Sequence, residues 1–208
     1  AGSGSDMDAN GGAIWNSGNM TLGNNVTFTD NHASSATTSG DGHGSDIYNV
    51  SGTITIGDNL LITRTDNYPD YEHDCAIFAN AGTINIGNNA TISNVGEAIV
   101  TSGTSIINIG DNLNINNVRN GIASWGKEVN IGDNATFENV IGSARVFQTV
   151  TDTGLFTFGD GLVVKNNMTS SFGNIYNERY NTSMTFNGKA DFINNSAQID
   201  NAGVFQNW

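Results

Sequence analysis

One proline and one cysteine occur in 208 residues. With Cys75 as its single thiol the chain cannot form an internal disulfide, so its fold does not rest on oxidation. Cations are scarce too: seven Lys and Arg stand against 20 Asp and Glu, a formal net charge of −13, and none precedes Arg64. Such a surface repels phosphate backbones and anionic lipid heads, which excludes nucleic acid as a partner. No apolar run reaches the roughly 18 residues that a membrane-spanning helix needs. Membrane attachment is therefore expected only through an anchor or β-barrel outside this sequence. Residues 1–10 lack a basic segment followed by an apolar one, and "AGSGS" reads as a linker or expression scar. Asn, Thr, Ser and β-branched residues dominate, and these disfavour helix interiors.

What is present is repetition. "TITIGDNLLI" from Thr53, "TINIGNNATI" from Thr83, "INIGDNLNIN" from Ile107 and "EVNIGDNATF" from Glu128 are variants of one decapeptide. "MTLGNNVTF" from Met20, "LFTFGDGLVV" from Leu155 and "MTFNGKADF" from Met184 are looser copies. The central position falls at Gly23, Gly57, Gly87, Gly110, Gly132, Gly159 and Asn187, at spacings of 22 to 34 residues. Apolar residues alternate on both sides of it, as in Ile54/Ile56 before and Leu60/Ile62 after. Period-two alternation puts each pair on one face of a strand, and Gly-Asp/Asn-Asn between them is turn chemistry. A third strand lies upstream of each pair, centred on Ile14, Ile47, Ile77, Ile99, Ile122, Val146, Ile175 and Val204.

Three short strands per repeat, each with one inward face, predict a coil that stacks on copies of itself. The expected fold is all-β, a right-handed parallel β-helix (solenoid) of about seven to eight coils. Residues 11–208 would form it as a single domain. A β-sandwich is the alternative, but it would not need the same turn at the same place in every unit. Seven residues after each central position stand Asp30, Arg64, Asn94, Asn117, Asn139, Asn166 and Asn194. Asparagines at equivalent turns are expected to hydrogen-bond up and down the stack, with Arg64 as the exception.

"GGAIWNSGNMTLGNNVTFTDNHA", Gly11 to Ala33, resembles the repeat of polymorphic outer-membrane proteins, a GGAI tetrapeptide followed by an F-x-x-N element, here Phe28 to Asn31. Similar repeats occur in autotransporter passenger domains and other adhesin-like surface proteins. Later copies such as "GEAIVTSG" and "NAGVFQN" are degenerate. The resemblance implies a passenger fragment exported to the bacterial cell surface and acting in adhesion or aggregation. The partners it implies are a surface protein or glycan of a host or neighbouring cell, together with self-association. It carries over no catalytic residues.

Other features bear on chemistry. "DGHGSD", Asp41 to Asp46, contains the Gly-His-Gly of polygalacturonases, but the clustered aspartates and the basic clamp that chemistry needs are missing. A β-helical polysaccharide lyase or hydrolase is nevertheless the competing function, and a structural stalk is a third. The loop "TDNYPDYEHDC" gathers Asp66, Asp70, Glu72 and Asp74, oxygen ligands dense enough to hold Ca²⁺. Its spacing is not that of an EF-hand, and the expectation is no cofactor. An outward column, Thr27, Leu61, Thr91, Asn114, Thr136, Val163 and Asp191, is too broken for a threonine ice-binding array. Immediately after the third-strand centres come Trp15, Tyr48, Phe78, Val100, Ala123, Phe147, Tyr176 and Phe205. Alternation sends this column outward, and its aromatic members Trp15, Tyr48, Phe78, Phe147, Tyr176 and Phe205 are the candidate binding stripe.

Overall fold

In the computed structural model the described residues are 9–33, 42–65, 75–142, 146–149, 154–169, 175–177, 182–197 and 205–207. They form a parallel β-helix. Each coil contributes one strand to each of three parallel sheets, named here leading, middle and trailing in chain order. The leading sheet has eight strands, from Ile14–Asn16 to Phe205–Asn207. The middle sheet has seven, from Asn19–Leu22 to Ser183–Phe186. The trailing sheet runs from Thr27–Thr29 to Ala190–Ile193. Every pairing joins a strand to its counterpart one coil away, as Thr53, Thr83, Ile106 and Glu128 do at the start of the middle strands. The broken threonine column lies in register as read, from Thr27 beside Leu61 to Val163 beside Asp191.

The core fills the space between the sheets. Ile54, Ile84, Ile107, Val129 and Phe156 form one stacked column and Ile62, Ile92, Ile115, Phe137 and Val164 another. Aliphatic side chains dominate the first coils and rings the later ones. Phe147 meets Phe137 edge-on at 4.3 Å, and Phe158 stacks on Phe156 and Phe186 at 5.0 and 5.2 Å.

The repeated turn has a more specific cause than conformational freedom at glycine. The residue with positive φ is the second after it: Asn25, Asn59, Asn89, Asn112 and Asn134 lie between 58° and 63°. Asparagine tolerates that left-handed conformation. The glycine is needed because the next coil sits so close. A Cβ at Gly132 would lie 2.4 Å from Asp111 Oδ1, and Gly57, Gly87, Gly110 and Gly159 meet the same obstacle. Gly23, in the first coil, has nothing within 4 Å. In the last coil Gly188, rather than Asn187, approaches Asp160. The side chain in the way is itself an acceptor. The amides of Asp58, Asn88, Asp111, Asp133, Asp160 and Lys189 each donate to the Asn or Asp side chain one coil earlier, at 2.6 to 2.9 Å.

The asparagine ladder expected seven residues after the glycine is only partial. Asn139 donates to Asn117 at 3.2 Å and Asn194 to Asn166 at 3.4 Å, whereas Asn94 turns to Thr63 and Asn166 to Glu138. What the column shares is positive φ, 52° to 56° from Asp30 through Asn194. Arg64 lacks it; its guanidinium is buried and donates to Ser45 Oγ and Asn31 O. A continuous ladder runs instead through the turn asparagines, with Asn59, Asn89 and Asn112 each donating to the one before. The GGAI element is architectural as well: Gly11 has φ +70°, and a Cβ on Gly12 would strike the carbonyl oxygens of Ser45 and His32.

Two members of the aromatic stripe are corrected by the register. Phe147 pairs with Ile122 and Ile175 and is fully buried, and Val146 takes the core position one residue earlier, beside Gly121. Phe205 pairs with Ile175, which again places it at an Ile-column position; Val204, the centre expected for that strand, lies outside the described residues. In both strands the register is one residue off the apolar spacing. Both neighbouring positions are apolar, so alternation alone could not choose between them. The residue before the Ile also lies inside in three successive coils: Ala76 and Ala98 are in the core, and Asp46 is buried, accepting a hydrogen bond from Asn31 at 2.8 Å.

Candidate binding site on the leading sheet

With the register corrected, the outer column of the leading sheet reads Trp15, Tyr48, Phe78, Val100, Ala123 and Gln148, with Tyr176 and Gln206 following in backbone register. The aromatic run is continuous over the first three. Trp15 is the most exposed of them, and Tyr48 stacks on Phe78 with centroids 5.3 Å apart. His43 caps this stack at 4.5 Å from the Phe78 ring. The run then lapses: at Val100 and Ala123 two small side chains stand where rings stood before. Tyr176 resumes the column in register after Gln148.

The lapse makes a pocket of about 350 Å³, lined by His43, Phe78, Glu97, Val100, Asn120, Ala123, Trp125 and Gln148 among others. Its layout follows from strand register. Val100 and Ala123, adjacent across the sheet, form the floor. Three residues before each stand Glu97 and Asn120, also paired, which make one polar side. Two residues after each stand Ser102 and Trp125, which make the opposite side. Phe78 closes the end toward the first coils and Gln148 the other, at the same column position. Trp125 remains 40% exposed, a ring presented at the rim.

The polar side has a fixed orientation. Asn120 Nδ2 donates to Glu97 Oε1 at 2.7 Å, which settles which amide atom faces the carboxylate. Its Oδ1 is buried and has no hydrogen-bond partner. An unpaired buried carbonyl oxygen costs about 1 to 3 kcal/mol, and here it belongs to the wall of a cavity. Cys75 lines the pocket beside this wall, in register with Glu97, its sulfur accepting from the Gly44 amide at 3.3 Å. Gly-His-Gly is thus absorbed: Gly44 has φ +61°, and His43 is a pocket-wall ring.

Of the residues singled out in the sequence, Phe78 is in this site and Tyr48 reaches it through the stack. Trp15 lies two coils from Phe78 on the same face, Phe147 is in the core, and Tyr176 and Phe205 are placed by register alone. Asp66, Asp70, Glu72 and Asp74 lie outside the described residues. Among the described residues no cluster of three or more His, Cys, Asp or Glu is arranged to hold a metal ion. Sequence reading missed Glu97, Asn120, Trp125 and Gln148. The signal was there: Val100 and Ala123 already interrupted the stripe, and a gap between rings is a concavity. No protein-family model, curated protein or solved structure matches the chain.

Proposed function

We propose that this chain is a non-catalytic recognition module of a bacterial surface protein, an adhesin-type passenger whose leading sheet contacts its partner. The observation that carries the reading is the pocket. The rest of the repeat serves stacking, but Val100 and Ala123 depart from the ring column and open a cavity with aromatic and amide walls. Its volume is within the roughly 300 to 1,000 Å³ of small-molecule sites. The GGAI…F-x-x-N resemblance supports extracellular display and attachment to a host or neighbouring cell, with self-association as a second outcome of the same exposed face.

Glycoside hydrolysis on this scaffold would call for a pair of carboxylates flanking the scissile bond. Among the described lining residues Glu97 is the one carboxylate, and Asn120 already occupies its Oε1. That favours binding over catalysis. Cell adhesion by the purified chain tests the reading, with Ala123→Phe filling the pocket and Asn114→Ala on the trailing sheet as control. The expected result is loss of adhesion with Ala123→Phe alone. Equal adhesion by all three proteins would remove the pocket from the function.

A further inference from the structure

We infer that the pocket on the leading sheet takes a neutral sugar ring, packed against the Phe78 and Trp125 rings on adjacent walls and hydrogen-bonded through its hydroxyls to Asn120 and Glu97. The inference rests on the proposed recognition role and names its ligand.

Three features converge. A pyranose has apolar C–H faces and a polar rim, and the pocket has the matching division, with rings at Phe78 and Trp125 and polar atoms along Glu97, Asn120 and Gln148. Large aromatic side chains, apolar in body with a wet edge, suit that kind of contact. Second, the unmet need in the wall is for a donor. Asn120 Oδ1 is a buried acceptor without a partner, and Glu97 is an acceptor when ionised. A hydroxyl group supplies a donor without bringing a charge. An apolar ligand would leave Oδ1 unpaired, an arrangement that weakens binding.

Third, the field selects against acidic sugars. The wall carries the Glu97 carboxylate, and among the described residues the lining holds no Lys or Arg. The whole chain carries a net −13. A uronate or sulfated sugar would bring like charge beside Glu97 in a chain of strong net negative charge, a repulsive element of the kind that sets specificity. The pocket's volume of about 350 Å³ leaves room for a short saccharide.

The test is saturation-transfer NMR with calorimetric titration of maltose, cellobiose and lactose, set against digalacturonate as the charged comparison. Parent protein is compared with Ala123→Phe, whose ring would fill the pocket floor between Val100 and Gln148. Trp125→Ala, at an exposed position, serves as a second variant should the first fail to fold. The expected result is binding of at least one neutral disaccharide, at least about tenfold weakened in each folded variant, with digalacturonate unbound. Digalacturonate binding as well as the neutral sugars overturns the inference. So does an absence of sugar binding where the parent still adheres to cells and Ala123→Phe does not, which leaves the recognition role standing with another ligand. Adhesion unaffected by Ala123→Phe, with no sugar bound, removes both.

Discussion

At the scale of single residues, the close stacking of coils turns small side chains into strict requirements. Gly132→Ala places a Cβ 2.4 Å from Asp111 Oδ1 and 2.8 Å from the Gly110 carbonyl carbon. Overpacking of this kind costs about 1 to 3 kcal/mol. Gly23→Ala meets open space at the same turn and is expected to change stability by less than about 0.5 kcal/mol. Urea denaturation of the pair checks this, and equal losses would show that the glycine serves something other than coil spacing. Ile109 is buried between Ile86 and Ile131. Ile109→Ala is expected to cost about 2 to 5 kcal/mol through the cavity it leaves, and denaturant midpoints will read it directly.

Charges matter at a few exposed places. The Thr65 amide, and then its hydroxyl, hold the Asp30 carboxyl below its ordinary value of 3.8. Hydrogen bonding from Lys165, 3.0 Å away, lowers that of Glu138 from 4.5. Both carboxyls favour the ionised form in the folded chain. Their contribution is present above the unfolded values and drains as pH falls through the lowered folded ones. Glu138→Gln should therefore flatten the decline of Tm below pH 4.5 relative to the parent. An identical acid limb in thermal melts would mean the Lys165 contact does not stabilise the fold.

At the scale of elements, the turn between the middle and trailing strands is a staircase in which each side chain accepts the amide of the coil after it. Asn and Asp alternate freely there, as Asn24, Asp58, Asn88, Asp111, Asp133 and Asp160, because each presents one Oδ1 in the same place. Asp133→Asn keeps that acceptor and relieves charge, so its stability should match or exceed the parent's. Asp133→Ala leaves the Asp160 amide to water and should cost about 0.5 to 1.5 kcal/mol. Thermal melts of the two variants separate the acceptor from the charge, and an equal loss in both would assign the role to charge.

At the scale of the molecule, a solenoid's stability is a sum over coils and the contacts between neighbours. Core positions of the central coils, such as Ile84, Ile107 and Val129, are fully buried, whereas Met20, Met184 and Phe192 at the two ends are only partly so. Hydrogen exchange should therefore show the slowest amides in the middle strands Thr83–Ile86, Ile106–Ile109 and Glu128–Ile131, with protection falling toward Asn19–Leu22 and Ser183–Phe186. Uniform protection along the stack would indicate one all-or-none unit instead. The pocket lies on these central coils, where the floor strands Glu97–Thr101 and Asn120–Ser124 are paired on both sides. A binding site there is carried by the most firmly held part of the rod.

Much of this architecture was legible from the chain alone. The decapeptide and its alternating neighbours dictated three inward strands per coil, because only side chains two apart share a face and only like faces stack into columns. The turn asparagines were legible for the same reason, since few residues accept a left-handed backbone. The tertiary structure decided whatever depended on register across coils. Val146 and Phe147 are adjacent and both apolar, and only pairing with Gly121 and Ile122 shows which of them holds the Ile column. It decided the glycine's role too, since the obstacle is a carboxylate or amide from another coil. Above all it decided the site: Glu97 and Asn120 are 23 residues apart, and a polar wall, a floor of Val100 and Ala123 and the rim ring of Trp125 face one cavity only once parallel stacking has set those coils side by side.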